Sequence, residues 1–184
     1  VVHGIPNDTP LLEGDIVSVD CGTLLNGYCG DSCYTFIVGD TTDEIKRLLQ
    51  TTKESLYKGI EQAVVGHRLG DISYAIQTHC ENQGYGVVRE FVGHGIGKKM
   101  HEDPQVPNYG KRGNGMLLKN GLCIAIEPMI TMGAKEIYMQ EDRWGIITRD
   151  KKPAAHFEHT VCVRKGKADI LSSFEEIENI LREK

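Results

Sequence analysis

Asn26-Gly27 narrows the fold more than any other pair of residues in the chain. It lies between two β-rich runs, residues 15–20 with Ile16, Val17 and Val19, and residues 28–38. A two-residue type I′ turn needs positive φ at both central positions, which Asn and Gly tolerate. Counting outward from the turn pairs Leu25 with Tyr28, Thr23 with Gly30 and Gly22 with Asp31. Asp20 then lies two residues beyond Gly22 on the same face. Asp20 and Asp31 become diagonal neighbours, about 7–8 Å apart at Cα, a separation that lets two carboxylates converge on a metal ion.

The remaining patterns predict helices and further strands. Thr41-x-x-Glu44 has the form of a capping box, and Ile45, Leu48, Leu49, Leu56, Ile60, Ala63 and Val64 recur at helical spacing up to Gly66. Asp71 is placed to cap a second helix carrying Ile72, Ala75 and Ile76 and ending near Gly84. Strands are expected over residues 87–91, 122–130, 136–139, 145–148 and 157–163, with a short final helix over 174–182. Val1 and Val2 read as strand and His3-Gly4-Ile5-Pro6 as the loop after it, so an upstream segment is expected. No linker, low-complexity tract or short repeat divides the sequence, which makes residues 1–184 one α+β domain with helices packed on a sheet.

Charge and cysteine usage exclude several functions. The net charge of −5 comes from mixed signs without a basic run, which gives no footprint for nucleic acid or an anionic membrane. No apolar stretch reaches membrane-spanning length, and residues 1–10 lack the stages of a secretory signal. Cys21, Cys29, Cys33, Cys80, Cys123 and Cys162 are scattered without CxxC spacing. Reduced thiols in a cytoplasmic protein are therefore expected.

Five candidate ligands punctuate the expected strands or their edges: Asp20, Asp31, His94, Glu127 and Glu158. Four carboxylates and an imidazole suit divalent Mn, Fe, Co or Zn rather than Mg, Ca or structural Zn. Two ions about 3.5–4 Å apart can share a hydroxide and polarise a carbonyl, which is what peptide hydrolysis needs. Taken singly, most of the five have ordinary explanations. Asp20 reads as a turn acid, Asp31 as a strand terminator, Glu158 as the exposed face of an antiparallel strand, and His94 as part of a glycine-rich loop. Glu127 is harder to explain away. It interrupts Ile124-Ala125-Ile126 and precedes Pro128-Met129-Ile130, which predicts a carboxylate inside a buried strand that needs a metal or a firm partner.

Seven motifs, read in order, change the weight of these residues. They are His3-Gly4-Ile5-Pro6, Val17-Ser18-Val19-Asp20, Gly30-Asp31-Ser32, Gly93-His94-Gly95-Ile96-Gly97, His101-Glu102-x-Pro104-x-Val106, Ile126-Glu127-Pro128-Met129 and Phe157-Glu158-His159-Thr160. Together they resemble the successive motifs of type I methionine aminopeptidases, hydrolases that remove the initiator methionine from nascent polypeptides. The resemblance implies the pita-bread fold, an antiparallel sheet with helices packed on one side, here with its first half incomplete. It also implies two divalent metal ions. Asp20 and Asp31 resemble the aspartate ligands, with Asp31 bridging; His94 and Glu127 complete one site, and Glu158 is the second bridge. Glu127 is similar to the residue that takes a proton from the nucleophilic water. His3 and His101 match the two non-ligand histidines that contact substrate and steady the tetrahedral intermediate. Trp144 falls where the family has a tryptophan near the substrate pocket, whereas Met100 stands where an aromatic residue is expected. Without the resemblance, His101 reads as an exposed loop histidine and Trp144 as core. His156 and His159 are given supporting roles rather than metal contacts.

The resemblance further implies a peptide partner with a free N-terminal methionine, transient association with the ribosome, and a cytoplasmic location. Prolidase and aminopeptidase P share the fold and form the alternative reading, together with a non-catalytic binding relative. Type II methionine aminopeptidases carry a long insertion between the histidine and the first glutamate. Here only residues 95–126 lie between them, which favours type I.

Overall fold

The structure is a computed structural model and describes residues 1–183. After an irregular segment, β1 (Ile16–Asp20) leads to the hairpin β2 (Thr23–Leu25) and β3 (Tyr28–Gly30), and β4 (Ser32–Ile37) follows a break at Asp31. Asn26 and Gly27 have φ of 51° and 80°, as a type I′ turn requires. The register counted from that turn holds throughout. Leu25 pairs with Tyr28 and Thr23 with Gly30 in the hairpin, and Asp20 pairs with Cys33 and Ile16 with Ile37 beyond it.

Helix α1 (Asp43–Gln62) begins one residue later than the sequence suggests. Its cap is Thr42, whose Oγ1 accepts a hydrogen bond from the Ile45 N–H at 3.4 Å, while Thr41 Oγ1 donates to the Gly14 carbonyl. Helix α2 (Leu69–Asn82) begins two residues before Asp71. Asp71 occupies the third helical position and accepts from the Arg68 N–H at 2.7 Å and the Gly113 N–H at 2.8 Å. The helices meet closely at Gly59, where a Cβ would lie 2.8 Å from Ile76 Cδ1. Thr52 and Ser55 are tolerated on this buried face because each hydroxyl donates to a carbonyl of its own helix, Leu48 and Thr52 respectively.

The second half is β-rich: β5 (Gly86–Val87), β6 (Gly93–Gly95), β7 (Glu102–Val106), β8 (Cys123–Ile126), β9 (Met129–Thr131), β10 (Ile137–Met139), β11 (Ile146–Thr148), β12 (Ala154–His156), β13 (Glu158–Cys162) and β14 (Asp169–Ile170), then α3 (Glu175–Arg182). The main sheet is antiparallel, in the order β1-β4-β13-β8-β6-β7 with β14 also on β13. A three-stranded sheet, β12-β9-β5, continues beside it, and β10 pairs with β11.

Several expectations are corrected. The strand expected over 87–91 is confined to Gly86–Val87. The run 122–130 is two strands, because Pro128 has no N–H to donate to a ladder. β12 and β13 are split at the same level, at Phe157. Strands β6, β7, β12 and β14 lie outside the expected runs. Val1 and Val2 form no strand; this segment is instead held by Val1 N donating to the Ile146 carbonyl at 2.8 Å and Ile146 N donating to the His3 carbonyl at 3.1 Å.

Alternation along the strands sorts the two faces of the sheet. Tyr34, Ile124, Ile126 and Val161 join Leu48, Leu56, Ile60, Ile72 and Ile76 of the helices in one apolar cluster. The opposite face carries Ala125, Cys33 and the acids. The helices therefore leave that face open to chemistry. All six cysteines are free: Cys33, Cys80 and Cys162 are buried, Cys29 and Cys123 half-buried, and Cys21 exposed. Among the described residues, no helix is long and apolar enough to cross a membrane.

Candidate metal centre

Register brings the acids together. Asp20 pairs with Cys33, and Cys33 pairs with Glu158. Glu127 and Glu158 fall opposite one another in the gap between the pairs His156–Met129 and His159–Ile126. One row thus runs across β1, β4 and β13 to the break between β8 and β9: Asp20, Cys33, Glu158, Glu127. Asp31 lies two residues from Cys33, and His94 sits on β6, whose Gly95 pairs with Ile124 of β8. All five sequence-derived candidates reach this one face.

Contacts agree with that count. Ligand atoms of Asp31, His94 and Glu158 lie within 4.8 Å of one another, as do those of Glu127, His156 and Glu158 and those of Asp20, Cys33 and His156. His94 Nε2 is 3.7 Å from Asp31 Oδ2 and 3.5 Å from Glu127 Oε1. These spacings are too long for hydrogen bonds. They suit donors that share a cation, since ligand atoms about 2.0–2.2 Å from an ion stand roughly 3–3.5 Å from each other. His94 Nδ1 donates to the Gly95 carbonyl at 2.9 Å, which leaves the Nε2 lone pair directed at the acids.

Glu127 does not lie within a strand. It occupies the break before Pro128, 7% exposed, with its carbonyl accepting from Asn108 Nδ2 at 2.9 Å. Glu158 is 1% exposed, so the exposed strand face that its sequence allowed is ruled out. Burial pushes the Glu127 carboxyl up to about 8, with His94 opposing and Asp20 and Asp31 adding to the rise. Burial also raises Glu158, reinforced by Glu127 and Asp31, and raises Asp20. Glu158 Oε1 and both ring nitrogens of His156 are buried without a hydrogen-bond partner. Orphaned acceptors among mutually repelling acids are costly unless a cation compensates them. The residues present therefore fit divalent metal.

His3, His101 and Trp144 stand around the cluster. The His101 ring packs edge-on against His94 with centroids 4.4 Å apart. His101 is exposed and, with His94, Lys99 and Gln105, lines a cleft of about 630 Å³. His3 stacks on Trp144 at 4.4 Å and meets the edge of Phe91 at 5.5 Å, and burial lowers its pKa. Trp144 is 52% exposed, so it is not core. Met100 is half-buried, and its Cε fills the space that a Cβ on Gly22 would need, beside Asp31.

Two further residues join the cluster: Cys33, which the sequence reading did not place there, and His156, to which it gave only a supporting role. Cys33 is fully buried in the middle of the acidic row, and the turn register that pairs it with Asp20 was the signal. His156 is 1% exposed with Nε2 3.6 Å from Glu127 Oε2, and its place two residues before Glu158 was the signal. Burial holds His156 down to about 4, so the ring is neutral.

The model of metallopeptidase family M24 matches residues 1–165. A methionine aminopeptidase of Clostridium acetobutylicum is 51% identical over 173 residues, covering 94% of this chain and 69% of that protein. The crystal structure of methionine aminopeptidase from Rickettsia prowazekii superposes with a TM-score of 0.89 at 45% identity, covering 91% of this chain and 68% of that one. The prolidase of Pyrococcus horikoshii superposes with a TM-score of 0.72 at 25% identity, covering 94% of this chain and 44% of its own. Both are similar in fold, and the arrangement of curled antiparallel sheet and helices is that of the pita-bread fold.

Proposed function

The chain belongs to metallopeptidase family M24, and from that premise we propose that it is a metal-dependent aminopeptidase that removes the N-terminal methionine from polypeptides. The observation that carries this reading is the convergence of Asp20, Asp31, His94, Glu127 and Glu158 on one sheet face, with His3 and His101 at its rim. The similarity to methionine aminopeptidases, at twice the identity found with the prolidase, selects the substrate.

In this reading Asp20, Asp31, His94, Glu127 and Glu158 would together hold two divalent ions. Bound there, the ions supply Lewis acidity and a water of lowered pKa. Mn, Fe, Co and Zn all accept this donor set. Glu127 takes a proton from the attacking water and passes it to the leaving amine, a role favoured by a carboxyl buried enough to hold a proton near neutral pH. His101 and His3 donate hydrogen bonds to the substrate carbonyl as its oxygen gains charge. Trp144, stacked on His3, borders the methionine side chain. Residues 1–184 act as one catalytic domain, since a single apolar cluster runs from Tyr34 to Phe174. The substrate is a nascent polypeptide met in transient association with the ribosome, in the cytoplasm. Six free thiols suit that reducing compartment.

Metal-stripped chain resupplied anaerobically with Fe(II) or Mn(II) should release methionine from Met-Ala-Ser and not from its N-acetylated form. Glu127→Gln should lower kcat by about 10²–10⁴-fold with circular dichroism unchanged. Cleavage confined to an Xaa-Pro peptide would transfer the chain to the prolidase reading, and cleavage of the acetylated peptide would end the aminopeptidase reading.

A further inference from the structure

Glu127 has a histidine at each carboxylate oxygen. His94 Nε2 is 3.5 Å from Oε1 and His156 Nε2 is 3.6 Å from Oε2. The proposed function uses the first ring and leaves the second without a task. We propose that His156 is a further imidazole ligand of the metal centre, entering on the Asp20 side of Glu127 and opposite His94. This rests on the reading that the acidic cluster holds divalent metal.

Four observations support it. The ring is 1% exposed, yet neither Nδ1 nor Nε2 has a hydrogen-bond partner. A neutral imidazole carries one N–H and one lone pair, and leaving both unmet is costly; an ion satisfies the lone pair. The 3.6 Å spacing to Glu127 nearly repeats that of His94, as expected of donors flanking cations rather than of a direct ion pair. His156 also belongs to two groups of potential ligands, with Asp20 and Cys33 in one and with Glu127 and Glu158 in the other. Finally, the backbone of His156 is locked. Its N–H donates to Thr35 Oγ1 at 3.0 Å, and its carbonyl accepts from Thr35 Oγ1 at 2.6 Å and from Cys33 Sγ at 3.7 Å. The strand, and not a flexible loop, fixes where the ring can reach.

The consequence is a more nitrogen-rich centre. With an imidazole on each side, ions that favour nitrogen, such as Zn(II) and Co(II), gain over Mn(II). The test is a Zn(II) titration of the metal-free full chain labelled with ¹⁵N in its histidines, followed by imidazole ¹⁵N chemical shifts. The His156 ring is identified by its absence in His156→Gln. One His156 nitrogen should move to the zinc-bound region together with that of His94, and His156→Gln should weaken one of two zinc equivalents by about tenfold or more. Should the variant lose the wild-type circular dichroism, the ring is assigned through its backbone in the wild type, and the shift is read directly. Zinc uptake with a shift at His94 and none at His156 overturns the proposal while leaving the metal centre intact. Absence of zinc uptake overturns both.

Discussion

Glu127 concentrates the electrostatics of the site in one side chain. In the metal-free chain its carboxyl is lifted to about 8, and Glu158 is raised as well, both chiefly by burial. At pH 7 the folded chain therefore holds protons that the ions must displace. Filling the centre should release at least one proton, and apparent affinity should climb as pH rises toward 8 and fall as pH drops. Calorimetric titration with Mn(II) in buffers of different ionisation enthalpy measures this, and a heat independent of buffer would refute it. The need of Glu127 for a partner was readable from the apolar residues around it. Its place at a strand break was also encoded, in Pro128, but the β-rich run on either side outweighed that signal.

At the scale of elements, legibility followed how local the causes were. The hairpin and its register came from two turn residues and held as far as Ile16–Ile37, because a period of two leaves no freedom once the turn is set. Strand β6 was invisible by the same logic. Gly93-His94-Gly95 has low strand propensity and becomes a strand only because β7 and β8 flank it. Those neighbours approach so closely that only glycine fits: a Cβ on Gly95 would collide with the Asp103 carbonyl and lie 2.9 Å from the Glu102 carbonyl. Gly95→Ala should cost about 1–3 kcal/mol and shift His94 away from the acids. Urea denaturation together with metal content checks this, and Gly4→Ala, with open space at its Cα, is the control. An alanine at 95 that kept both stability and metal would show that β6 tolerates displacement.

Over the whole molecule, the candidate ligands span the chain from Asp20 to Glu158 and reach the sheet on β1, β6, β13 and two strand breaks. Metal held there links the first hairpin to the last long strand, and its binding free energy adds to folding. Free metal at 100 times its dissociation constant should add about 2.7 kcal/mol, raising Tm by about 5–10 °C, with chelator reversing the gain. Scanning calorimetry with and without Mn(II) decides this; an unchanged Tm would mean that the ions bind folded and unfolded chain alike. Such a link between distant segments cannot be read from any one window of sequence. It becomes visible only when the motifs are taken in order and the register is counted across the sheet.

The stack of Trp144 on His3 has an optical meaning. The chain contains one tryptophan, and that indole is half-exposed with an imidazole 4.4 Å above it. Its emission is therefore free of interference from any other indole, and it reports the one stretch of rim where a substrate side chain would arrive. The protein carries its own fluorescent gauge of occupancy, and ligand binding at the rim can be followed in unlabelled material.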